Sequence, residues 1–202
     1  SLSRGRDGPV NFLAGYSQVL LADGYGGYDG VVVGNKIHRA GCWAHARRKF
    51  VDAERSSPKI AATAVALIRR LYEAETDAAA MTVPERLAYR QCRSKPIVEE
   101  LEAALKQWKS TLLPKHALTV AINYCQNQWK ELTAFLEDGA IPIDNNVSER
   151  EMKRIVLNRK NSLFVGNERG GQSAAILASI TSTCKRHEID PQRYLTQLLV
   201  HL

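Results

Sequence analysis

The chain has 202 residues, enough for one large domain or a domain carrying a sizeable insertion. Apolar residues make up 45% and charged residues 24%, a balance that supports a real core in an ordinary globular protein. No stretch approaches the run of about 20 apolar residues that a membrane span needs. The polar start Ser1-Leu2-Ser3-Arg4-Gly5-Arg6 does not read as a signal peptide, and the absence of an initial Met points to a fragment or a processed chain. Lys and Arg number 28 against 21 Asp and Glu, a net charge of +7. That excess favours polyanionic partners, nucleic acid among them, although a merely soluble cationic surface has the same composition. Cys42, Cys92, Cys125 and Cys184 are scattered and form no disulfide framework; with no secretion signal they read as reduced thiols of a cytoplasmic protein.

In chain order, a Gly/Arg/Pro turn region leads into a short amphipathic piece around Phe12–Tyr16. Val19-Leu20-Leu21-Ala22 followed by Asp23-Gly24 reads as a buried strand ending in a turn. Gly24, Gly26, Gly27 and Gly30 keep the next loop tight, and Val31–Val33 and Ile37–Cys42 read as further extended pieces. Trp43–Arg55 reads as a helix with a basic face formed by His45, Arg47, Arg48 and Lys49.

From Pro58 to about Gly139 the pattern is helix after helix. One apolar stripe is Ile60, Ala64, Leu67, Ile68 and Leu71. A second is Ile97, Leu101, Leu105, Trp108 and Leu112. A third is Leu118, Ile122, Cys125, Trp129, Leu132 and Leu136. Pro84, Pro96 and Pro114 are expected to punctuate the connections, and Trp108 and Trp129 to pack a helical core. Ile141-Pro142-Ile143-Asp144-Asn145-Asn146 then opens the last third. A helix is expected from Asn146 to about Leu157, a polar loop over 158–171 with Leu163-Phe164-Val165 as a short extended piece, and two closing helices near 172–187 and 191–202.

Two carboxylates stand out. Asp23, at the end of a buried strand and ahead of glycines, can project into a cleft and offer hard oxygen to a divalent cation; an Asp-Gly step also makes an ordinary turn. Glu149 lies three residues after Asn146, which equally fits a capping box or a favourable charge at a helix start. Asp144 is either an outer ligand or a turn former. Arg150, Lys153 and Arg154 share a helix face, with Arg159, Lys160 and Arg169 further on. Cations flanking a carboxylate suit an approaching phosphodiester; a solvated basic helix is the plainer reading. Cys42/His45 and Cys184/His187 each form Cys-x2-His, but the wide separation of the two halves carries no zinc signature. Ser148 has no evident His partner, and no Walker-type phosphate loop is present.

Several strings together carry a resemblance. Leu21-Ala22-Asp23-Gly24-Tyr25-Gly26-Gly27-Tyr28, Ala40-Gly41-Cys42-Trp43-Ala44-His45-Ala46-Arg47-Arg48-Lys49-Phe50 and Ile143-Asp144-Asn145-Asn146-Val147-Ser148-Glu149-Arg150 resemble, in order, the motifs of IS66-type transposases. Arg159-Lys160-Asn161-Ser162-Leu163-Phe164, Gly170-Gly171, Cys184-Lys185 and Asp190-Pro191 continue the similarity, which covers essentially the whole chain.

The resemblance implies an α/β, RNase H-like core, here partial with its first strands missing, interrupted by a mostly α-helical insertion and closed by C-terminal helices. On that basis residues 1–57 are the first part of the core, 58–140 the insertion and 141–202 the last part. It implies DNA strand cleavage and transfer by a DDE transposase with Mg2+ or Mn2+. Asp23 matches the second metal-binding acid and Glu149 the third, and Arg150, Lys153, Arg154, Arg159 and Lys160 are expected DNA contacts. The first acid of the family lies upstream of the matched region. Asp7, in a polar turn without a leading strand, does not take its role, so the chain alone is expected to be incomplete. Transposon-end and target DNA and further copies of the chain in a homo-oligomer are the implied partners. A remnant that binds DNA or assembles without cutting is the alternative.

Overall fold

A computed structural model of the chain describes residues 7–162 and 164–201. The chain divides into two compact units, Ser1–Asn145 and Asn146–Leu202.

In the first unit, helix α1 (Asp7–Phe12) precedes strand β1 (Val19–Leu21), helix α2 (Asp29–Asn35) and strand β2 (His38–Ala40). The strands pair in parallel, Val19 opposite His38 and Leu21 opposite Ala40. Parallel neighbours need a crossover between them, and this decides the fate of the valine run. Val31–Val33, expected to be extended, lies in α2, which reverses the chain between the strands. The helix stops at Lys36, whose left-handed φ of 54° turns the chain while its N–H returns to Val32 O. The expected extended piece Ile37–Cys42 is a strand only over His38–Ala40.

Helix α3 (Trp43–Asp52) buries Trp43, Ala46 and Phe50, one face at helical spacing. Helix α4 (Pro58–Asp77) starts with Pro58 at a position where a missing N–H costs nothing. It buries Ala61, Ala64, Leu67, Ile68, Leu71 and Ala74. Helix α5 (Val83–Thr111) opens with a reciprocal capping box between Thr82 and Glu85.

Pro96 does not punctuate a connection: it lies inside the 29-residue α5. A proline within a helix removes one hydrogen bond at a cost of about 3 kcal/mol. Burial of Ser94, Ile97, Val98, Leu101 and Leu105 around it holds the helix together. Helices α6 (Ala117–Asn127) and α7 (Trp129–Thr133) and a 3-10 turn over Ala134–Leu136 complete the helical block.

These helices share one apolar cluster with β2, α3, Ile141 and Ile143. Its centre is Trp43, whose indole N–H donates to Leu132 O at 2.8 Å and whose ring meets Trp129 and Phe135 edge-on. Trp108 and Trp129 pack against this cluster, half-buried. Arg90 ties the end of the block to its middle. It is 1% exposed, grips Glu75 with two nitrogens at 2.6 and 2.8 Å, and donates to the carbonyls of Phe135, Asp138 and Ile141.

The second unit consists of α8 (Asn146–Ser162), α9 (Glu168–Arg186) and α10 (Pro191–Val200). The polar stretch expected as a loop over 158–171 is largely helical, because α8 continues to Ser162 and α9 begins at Glu168. Asn167 caps α9 by accepting the Gly170 N–H at 2.8 Å. A Cβ on Gly170 would fall against Val165 O, so glycine is required for that approach. Phe164 and Val165 form no strand, and Leu163 lies outside the described residues. Cys184 is buried, whereas Ile176, Leu199 and Val200 are exposed.

The architecture is therefore predominantly helical, with one parallel pair of strands among the described residues. This is a narrower sheet than the strand-rich start expected from the sequence. Each strand is three residues long, and the stretch between them is taken up by the helical crossover. No helix among the described residues is long and apolar enough to cross a membrane.

Candidate active site

Asp23 follows β1 directly. The ladder extends one residue beyond the strand, with Ala22 N–H donating to Ala40 O at 3.0 Å, so the chain reaches Asp23 in a fixed direction. The carboxylate Oδ1 accepts the Tyr25 N–H at 3.2 Å, an Asx-type turn. Arg39, on β2, donates to Asp23 O at 2.7 Å and to Asp29 Oδ1 at 2.9 Å, clamping both ends of the glycine-rich loop.

The glycines have separate reasons. A Cβ on Gly24 would lie 2.9 Å from the Tyr124 ring, and one on Gly27 would overlap the Tyr25 ring. Tyr124, from α6, thus packs against the turn at Gly24. Burial raises its phenol pKa above the ordinary value, while the Gly24 N–H directed at its oxygen works the other way. Lys49 Nζ sits 5.8 Å from the same ring, within cation–π range.

Asp144 belongs to the segment returning from the helical block. Its Oδ2 accepts the Tyr72 hydroxyl at 2.8 Å. Burial and then this carboxylate raise the Tyr72 phenol well above its usual range. One residue earlier in the same segment, Ile143 O accepts the Trp43 N–H at 3.1 Å. Cys42, at the start of α3, is buried, and burial raises its thiol pKa; the N–H groups of Asn145, His45 and Ala44 face the sulfur. The thiol therefore acts as a packed joint between α3 and the returning segment.

Glu149 is in the first turn of α8, half-buried. Arg150, Lys153 and Lys160 are exposed on the same helix. The side chains of Arg154 and Arg159 lie outside the described residues. Asp23 belongs to the first unit and Glu149, with its cations, to the second.

Each unit by itself offers hard oxygen: Asp23 in the first, where Asn145 Oδ1 is also buried with no hydrogen-bond partner among the described residues, and Glu149 in the second. In kind they suit Mg2+. In number they fall short, since no group of three His, Cys, Asp or Glu side chains gathers as a metal site among the described residues.

Sequence reasoning missed Tyr72, Tyr124 and Arg39. Tyr72 and Tyr124 sit within apolar helical stretches and nothing local distinguishes them. Arg39 acquires its place from the parallel pairing, which sets it opposite Leu20 on the strand that delivers Asp23.

Residues 1–173 match the family model described as Transposase IS66 family. Three curated relatives come from Sinorhizobium fredii (strain NBRC 101917 / NGR234). "Uncharacterized protein y4jD" is 38% identical over 93% of this chain and 38% of its own length. "Uncharacterized protein y4qI" is 35% identical over 98% and 38%, and "Uncharacterized protein y4hP" 31% over 100% and 40%. The chain thus spans roughly two fifths of the length of these relatives, from 38% to 40%. No solved structure matches it. With the matched region containing the Asp23 turn, the α3 block and the start of α8, the chain belongs to the IS66 transposase family.

Proposed function

We propose that this chain is part of the DNA-cleaving and strand-transferring machinery of an IS66-type transposase, built on an RNase H-like core. Asp23 and Glu149 are the residues that would hold Mg2+ or Mn2+, each presenting a hard carboxylate oxygen. When bound, such ions polarise the scissile phosphate and activate the attacking oxygen. The chain's own contribution is to orient. Arg39 and Tyr124 fix the turn that carries Asp23, and the first turn of α8 carries Glu149. Arg150, Lys153, Arg154, Arg159 and Lys160 would bind the flanking phosphates. The partners are transposon-end and target DNA, with further copies of the chain in the assembled complex.

The observation that carries this reading is the family match across the Asp23 turn and the Glu149 helix, with exposed cations following Glu149 on α8. The test is metal-dependent nicking of supercoiled plasmid by the full coding product containing this chain. Glu149→Gln should abolish nicking while preserving most DNA affinity. Nicking that survives in that variant removes Glu149 from the reaction. A second reading, DNA binding or assembly without cutting, rests on the exposed cations alone; wild-type protein that binds DNA but never nicks it with either metal selects that reading.

A further inference from the structure

The basic face of α3 has no assigned role. Its burial pattern sets its geometry: Trp43, Ala46 and Phe50 face the core. At about 100° per residue, Arg47 and Lys49 lie on opposite flanks of that buried stripe and Arg48 points away from it. All three are exposed, and none is engaged in an ion pair among the described residues.

The two flanks lead to different places. On one, Lys49 lies over Tyr124, whose ring touches the Asp23–Gly24 turn. On the other, the charge of Arg47 acts on Tyr72, the residue that holds Asp144. The cations therefore span the distance between the two acidic segments of this unit. Besides Asp23 and Asp144, Asp52 lies one turn further along α3, and Glu54 shares with Arg69 a groove between α3 and α4 on the Arg47 side.

We propose that Arg47, Arg48 and Lys49 form a DNA-phosphate-binding face on α3, seating the duplex backbone beside the Asp23 turn, separate from the cations of α8. This rests on the DNA reading above and deepens it. A duplex presents phosphates along each strand at a spacing that a single exposed helix face can follow, and Arg and Lys are the usual phosphate partners. An acidic protein surface would also be attracted to these cations. The net charge of +7 and the position next to a candidate phosphodiester-processing carboxylate favour DNA.

The test is fluorescence anisotropy of this chain with a labelled 30-base-pair duplex across a salt series, with thermal melting as the folding control. Each phosphate contact contributes about 0.9 to the slope of log affinity against log salt. The triple variant R47Q/R48Q/K49Q should lower the slope by about 2–3 and weaken low-salt binding at least 10-fold. K95Q/K115Q/K130Q removes the same charge from other exposed positions and should change the slope much less. Equal losses in both triples, or an unchanged slope in the α3 triple, overturn the proposal while leaving DNA binding intact. Wild-type binding to polyglutamate as tight as to DNA also overturns it. No DNA binding by the wild type at low salt sinks the DNA reading itself.

Discussion

Tyr72 and Asp144, separated by most of the helical block in sequence, are joined by a 2.8 Å hydrogen bond from phenol to carboxylate. The bond links α4 to the segment that enters the Glu149 helix. Hydrogen bonds to charged groups contribute about 1.5–3 kcal/mol. Tyr72→Phe should therefore cost about 1.5–3 kcal/mol of unfolding free energy, measured by urea titration. In a double-mutant cycle with Asp144→Asn the two losses should fail to add. Full additivity would show that the contact is not made in solution.

The Gly24–Tyr124 contact predicts a substitution that is harmful for a steric reason. Gly24→Ala places a methyl 2.9 Å from the Tyr124 ring, inside van der Waals contact. Overpacking of this kind costs about 1–3 kcal/mol. Replacing Tyr124 by Leu in the same protein should restore part of that loss. If the double variant is no more stable than Gly24→Ala alone, the ring is not what excludes the side chain.

Arg90 supports the end of the helical block through five nitrogen–oxygen contacts with Glu75, Phe135, Asp138 and Ile141. Arg90→Ala leaves three carbonyls and a carboxylate without their donor. Breaking one side of such a buried pair costs about 3–5 kcal/mol. The variant should melt well below the wild type, and Glu75→Gln, which keeps a hydrogen-bond acceptor, should be milder. Equal melting temperatures for Arg90→Ala and wild type would contradict the buried network.

Burial separates the thiols. Cys125 is pushed up to about 12 from an ordinary value of 9.0, and Cys42 is also raised, whereas Cys92 is exposed. At pH 8, iodoacetamide should label Cys92 first and reach Cys42 and Cys125 only on unfolding, as read by mass spectrometry. The same shift gives a pH dependence. Between pH 9 and about 12 the folded thiol of Cys125 keeps a proton that the unfolded one loses, so the folded state binds more protons. Its contribution to stability is full below pH 9 and declines as pH rises through that window. Cys125→Ala should flatten the alkaline fall in unfolding free energy; an unchanged fall would assign it to other groups.

The sequence by itself determined the helical block, since stripes such as Leu67, Ile68 and Leu71 or Leu101 and Leu105 repeat at helical spacing and are buried in the fold. It also raised Asp23 and Glu149 as candidates, through local patterns that equally fit a turn and a helix cap and through the resemblance of the motifs around them. Tertiary structure decided the rest. Val31–Val33 has the composition of a strand, yet joining two parallel strands demands a crossover, and the valines supply it as α2. Pro96 has the local signature of a break, yet burial on both sides keeps α5 continuous. Tyr72 and Tyr124 hold the acidic segments through contacts made across long stretches of chain, and a residue's periodicity carries no information about what lies opposite it once the helices pack.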